Sequence, residues 1–169
     1  MSRRTKLALA AAFALAWFCA AGAQAQEKSA CDQFKWSVAG ERGWFAQPAP
    51  VASGAAIIAG QGYAVALRPT DSAGFRLPPE RAPKPGAFGA TLGVANIDAP
   101  GLYQITLSDE AWIDAVQGEA RLKSVGFSGQ KDCPGVRKTV RFDLKAGALT
   151  IQISNAASAA IDLAIARAQ

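Results

Sequence analysis

The sequence predicts an all-β protein, two antiparallel sheets packed face to face as a sandwich of jelly-roll type with about nine short strands. Two observations predict it. Short segments that alternate apolar and polar residues recur with Gly or Pro between them. No long stretch carries the 3.6-residue apolar period of an amphipathic helix convincingly. A closed barrel is the second architecture that such segments allow.

The chain opens with a segment to be set aside before the strands are read. Arg3, Arg4 and Lys6 form a positive start, residues 7–21 are an apolar run, and Ala23-Gln24-Ala25 gives a small-x-small pattern. That is the grammar of an export signal over residues 1–25, cut before Gln26. The apolar run falls short of the roughly 20 residues of a membrane span. Cys19 follows Phe18, where lipoprotein processing takes a small residue, and Lys6 stands where a twin-arginine signal takes an apolar one. General secretion, to the periplasm or beyond, is therefore the expectation, with no transmembrane segment left after cleavage and one domain over residues 26–169.

Within that domain the first strand candidate is residues 33–38, where Phe34, Trp36 and Val38 alternate towards a core. Trp44 and Phe45 follow as a staple over the sandwich edge. Residues 55–59, 62–67 and 86–94 are the next strand candidates. The clearest is residues 101–107, where Leu102, Gln104 and Thr106 face one way and Tyr103, Ile105 and Leu107 the other. Residues 111–117 follow a turn at 108–110, then come 136–144 and 148–154. Residues 159–165 look Ala-rich enough for a helix, but Ile161, Leu163 and Ile165 alternate with Asp162 and Ala164, which makes them a closing strand. Between the third and fourth candidates lies a proline-rich segment, residues 68–86, which holds five of the nine prolines. It reads as a long extended loop, or as a loop with one short strand near residues 75–77.

Charge and composition exclude more than they assign. All 13 acidic residues lie beyond the export signal, but only 15 of the 18 basic ones do, so the net charge of +5 falls to +2. The remaining bases are scattered, which argues against nucleic acid as a partner. There is no histidine. That removes Ser-His-Asp and Cys-His nucleophiles, histidine proton shuttles and His-ligated metals. Gly60-Gln61-Gly62 lacks the rest of a dinucleotide loop. No cofactor and no metal is expected. Cys31 and Cys133, the two cysteines left after export, are expected to form a structural disulfide in an oxidising compartment.

The stretch LSDEAWIDAVQ, residues 107–117, sets three carboxylates around one tryptophan. Asp109 and Glu110 fall in the turn, where acidic side chains cap backbone N–H groups and diverge into water. Catalysis by a facing carboxyl pair is not expected from that geometry. Trp112, Asp114 and Val116 share one strand face. In residues 136–144, Arg137, Thr139, Arg141 and Asp143 share a face as well. If the two strands are neighbours, Arg137 or Arg141 pairs with Asp114 and stacks on Trp112. Such a group is either a structural ion pair or a shallow ligand platform built of Trp112, Asp114, Arg137 and Arg141.

The run from Gly101-x-Tyr103 through Trp112-Ile113-Asp114, Ser128-Gly129, Asp132-Cys133 and Arg137-Lys138 to Leu149-x-Ile151-Gln152-Ile153-Ser154 resembles a family of small exported alphaproteobacterial proteins. The likeness spans most of residues 31–165 and implies no site residues. The Gly-x-Tyr strand followed by late alternating strands is also similar in pattern to secreted sandwich modules of the pre-peptidase C-terminal and carbohydrate-binding type. The expectation is an exported, non-catalytic binding module for envelope glycan or polysaccharide. The alternative is a protein-interaction or inhibitor-like envelope factor acting through the proline-rich segment 68–86.

Overall fold

The computed structural model describes residues 29–169. The expected export signal, residues 1–25, and its cut before Gln26 lie outside the described residues. Alternation decides the architecture. Residues at every second position of the long strands leave water together, and burying each Leu, Ile or Phe contributes about 1.5–3 kcal/mol. Two such faces meet and exclude water between them.

The strands are β1 (Ala49–Ala52), β2 (Ala56–Ile57), β3 (Gly62–Ala66), β4 (Arg68–Pro69), β5 (Phe88–Ile97), β6 (Gly101–Leu107), β7 (Trp112–Gln117), β8 (Ala120–Arg121), β9 (Gly126–Gly129), β10 (Lys138–Leu144), β11 (Gly147–Ala156) and β12 (Ala160–Arg167). One sheet runs β1-β3-β12-β6-β10-β9 and the other β2-β5-β11-β7-β8, with β4 also on β5. The sandwich stays open at its edges and closes into no barrel. Twelve strands replace the expected nine. The additions β1, β4, β8 and β9 have two to four residues each, too few to display a period. The sheets are also mixed and not purely antiparallel, because β1–β3 and β2–β5 pair parallel. Between β1 and β3 the chain crosses to the other layer as β2, and it returns running the same way.

The core sits between the layers. Tyr103, Ile105 and Leu107 of β6, Ile161, Leu163 and Ile165 of β12, and Val140, Phe142 and Leu144 of β10 face Leu92, Ile113, Ile151 and Ile153 of the second sheet. The alternation expected for residues 101–107 is the one observed, and the closing strand lies centrally, between β3 and β6.

Residues 33–38 correct the expected first strand. Phe34 and Val38 are buried as alternation requires. The segment nevertheless lies across the outer face of the first sheet, with the 3-10 turn Ala30–Gln33 before it and the helix α1 (Ala39–Trp44) after it. The backbone N–H of Lys35 donates to Ser128 Oγ at 3.0 Å, so a side chain takes the bond that a ladder would have taken. Cys31 and Cys133 are joined, and with Phe34, Val38 and Val136 they form a second, small apolar cluster that pins this segment down.

The proline-rich segment lies across the opposite, outer face of the second sheet. No strand forms at residues 75–77. Instead Gln152 of β11 takes the backbone of Leu77 on both sides, accepting from its N–H and donating to its carbonyl, each at 2.9 Å. Asp114, directly opposite Gln152 in the ladder, accepts from Glu80 N at 3.1 Å. Asn155 Oδ1 accepts from Lys84 N at 2.8 Å. Side chains of the sheet therefore stand in for a strand partner, and residues 73–86 act as a strap.

Candidate functional site

The two sheets part where β7 and β8 face β9 and β10. Val140 and Phe127 are register partners and so share the inward side of the first sheet. Val140 is buried, whereas Phe127, on the edge strand β9, is 63% exposed. A cleft of about 540 Å³ opens there. Its floor is carbon, supplied by Ile113, Leu122, Val140 and Phe142. Trp112, half-buried at the start of β7, forms part of its wall.

The mouth is polar and mostly cationic. Glu110 projects from the turn before β7 towards the other layer, where its two oxygens meet Arg137 Nη2 at 2.7 Å and Lys138 Nζ at 3.5 Å. Lys138 also donates to the Ala111 carbonyl at 2.9 Å and stands 5.2 Å from the Trp112 ring centre. Burial holds its amine below the ordinary lysine range, and Arg81 and Arg137 push the same way, while Glu110 opposes them. From the strap, the Arg81 guanidinium lies 4.4 Å over the Trp112 ring. Among the described residues no carboxylate comes within ion-pairing distance of Arg81.

Asp114 sets the positions of three parts of this wall. Its Oδ1 accepts from Trp112 Nε1 at 3.1 Å and faces Arg121 Nε at 3.3 Å. Its Oδ2 holds Glu80 N, next to Arg81 on the strap. Arg121 in turn donates to the Pro78 carbonyl. A carboxylate only 2% exposed is thus surrounded by donors, as a buried charge requires.

Of the sequence-predicted residues, Trp112 and Arg137 both line the cleft, and Asp114 stands directly behind Trp112. The pairing expected between them does not form. Strands β7 and β10 belong to different sheets, so Asp114 meets Arg121 and Arg137 meets Glu110. Arg141 is not at this cleft. It lies on the outer face of the first sheet, stacked 4.1 Å over Trp36, with Nε donating to Gln104 Oε1 at 3.1 Å. Sequence reasoning missed Arg81, Arg121 and Lys138 as parts of the wall. One signal for Lys138 was present, a lysine at an inward position between Val136 and Val140. The strap gives no periodic cue that would place Arg81.

Asp109 Oδ1 accepts from Glu110 N at 2.7 Å, the turn cap expected of it. Among the described residues no cluster of three potential metal-binding side chains occurs, and no helix is long and apolar enough to cross a membrane. Comparison with models of protein families, with curated proteins and with solved structures returned no match.

Proposed function

We propose that this chain is an exported, non-catalytic binding module that seats an acidic fragment of envelope glycan in the cleft at the open edge of the sandwich. One observation carries the reading: three cations, Arg81, Arg137 and Lys138, ring an aromatic and carbon-lined cleft in which Glu110 is already shared between two of them. A sugar offers C–H faces to Trp112 and Phe127, and a uronate offers a carboxylate to the guanidinium groups. Arg81 covers the Trp112 ring, which favours an acidic sugar over a neutral one: the carboxylate draws the guanidinium aside and frees the ring. The leader pattern and the Cys31–Cys133 bridge support export. The alternative, partner docking through residues 68–86, gains no support, since backbone groups at Leu77, Pro78, Glu80 and Lys84 are engaged by the sheet.

The test is tryptophan fluorescence of the mature protein titrated with galacturonic-acid oligomers, neutral glucose oligomers and decanoate. The expected result is a saturable change with the acidic oligomers alone, lost in Trp112→Phe and weakened about tenfold, or about 1.4 kcal/mol, in Arg137→Gln. Binding of decanoate alone would keep the cleft and remove the glycan. No response from any of the three would end the reading.

A further inference from the structure

A second cleft, of about 410 Å³, lies on the outer face of the first sheet, between that sheet and the N-terminal segment. It contains a pair of charges that the fold leaves apart. Glu41 of α1 is 6% exposed. Its Oε1 accepts from Gln104 Nε2 at 2.6 Å and from Thr106 Oγ1 at 3.4 Å, and among the described residues no donor reaches its Oε2 and no cation pairs with it. The other end of the same amide, Gln104 Oε1, accepts from Arg141 Nε; Arg141 Nη2 donates to the Gln169 main-chain oxygen at 3.4 Å, and no Asp or Glu pairs with Arg141 among the described residues. One glutamine therefore separates a buried carboxylate from a guanidinium, with both side chains lining the cleft.

A carboxylate removed from water is costly unless a cation answers it. Trp44 stands three residues along the same helix from Glu41 and lines the same cleft, and an indole beside a carboxylate suits an organic ammonium group. At the other end Arg141, backed by Trp36, suits a carboxylate, whereas the Lys35 ammonium turns away to lie 5.5 Å over the Phe127 ring. We propose that this cleft binds a small zwitterion of the amino-acid or betaine type, with its ammonium against Glu41 and Trp44 and its carboxylate against Arg141. The site is independent of the edge cleft, from which it is separated by the thickness of the first sheet, and nothing in it depends on the glycan reading.

The experiment is a titration of the isotope-labelled mature protein followed at the three indole N–H signals. The probes are glycine betaine and glycine, with tetramethylammonium and acetate as the two halves. The proposal expects saturable shifts at Trp36 and Trp44 and none at Trp112, with one zwitterion at least about tenfold tighter than either half. Preference for betaine or for glycine identifies the methylated or the primary ammonium. Arg141→Gln weakens the carboxylate end and Glu41→Gln the ammonium end, each by about tenfold. If Glu41→Gln fails to fold, Arg141→Gln with the half-ligand comparison still decides. Zwitterions no tighter than their halves, or shifts that do not saturate, overturn the proposal.

Discussion

Asp114 is the residue on which the edge cleft turns. Removing its carboxylate in Asp114→Ala leaves Glu80 N and Trp112 Nε1 without their acceptor and Arg121 without its ion-pair partner. The Arg121 side chain is 28% exposed, so water recovers part of that loss. Urea denaturation should show a loss of about 1–3 kcal/mol, with Asp114→Asn intermediate because it keeps one acceptor oxygen. A variant as stable as the parent would mean that the strap and the indole are held by something else. Lys138 makes a prediction about pH. Burial puts its pKa in the folded chain below that in the unfolded chain. The unfolded chain then binds more protons in the alkaline range, so the contribution of this group to stability rises as pH climbs from the lowered folded value towards the ordinary lysine value of 10.5. Measured as the stability of the parent minus that of Lys138→Met, the difference should grow over that window. A flat or falling difference would place the amine in water. Both residues show how much of the site the sequence carried. The buried charge at Asp114 was legible as a strand position in need of a cation. The identity of that cation was not, because it comes from β8, two residues long and without a pattern.

At the scale of elements, the strap is the part that alternation could not foresee. Its order comes from side chains of the sheet beneath it, chiefly Gln152, Asp114 and Asn155, each of which bonds to a backbone group of the strap. Asn155 sits at a register shift in β11 with φ at 61°, a conformation that asparagine tolerates, and this aims its amide at the strap. Gly89 of β5 leaves room for it: a Cβ there would stand 2.8 Å from Phe75 Cζ and 2.6 Å from the Ile153 carbonyl oxygen. Gln152→Ala should therefore loosen the strap at a local cost of about 1–3 kcal/mol and speed tryptic cleavage at Arg76 and Arg81, with little change in global unfolding. Unchanged cleavage rates would show that packing alone holds the segment. The N-terminal segment teaches the complementary point. Alternation of Phe34, Trp36 and Val38 reported correctly which side chains face the sheet. It cannot tell a strand within a sheet from an extended segment lying across one, since both bury every second residue.

For the whole molecule, the two-layer architecture was legible because the long strands are one-sided and β6, β10, β11 and β12 carry clean alternation. Strand adjacency was not, and the expected pairing of Asp114 with Arg137 or Arg141 failed on that point: neighbouring patterns in sequence ended in opposite layers. The same partition leaves each layer with its outer face covered by an irregular segment, one held by a disulfide and one by side-chain bonds to backbone. The open edge between β7–β8 and β9–β10 is where neither segment closes the sandwich, and there core carbon, two aromatic rings and three cations meet. The most direct measurement of its role is amide shift mapping of residues 26–169 with galacturonic-acid oligomers. The account predicts saturable shifts confined to residues 80–81, 110–113, 122–129 and 137–142, with the N-terminal segment on the outer face of the first sheet silent. Saturable shifts elsewhere, or none at all, would contradict it.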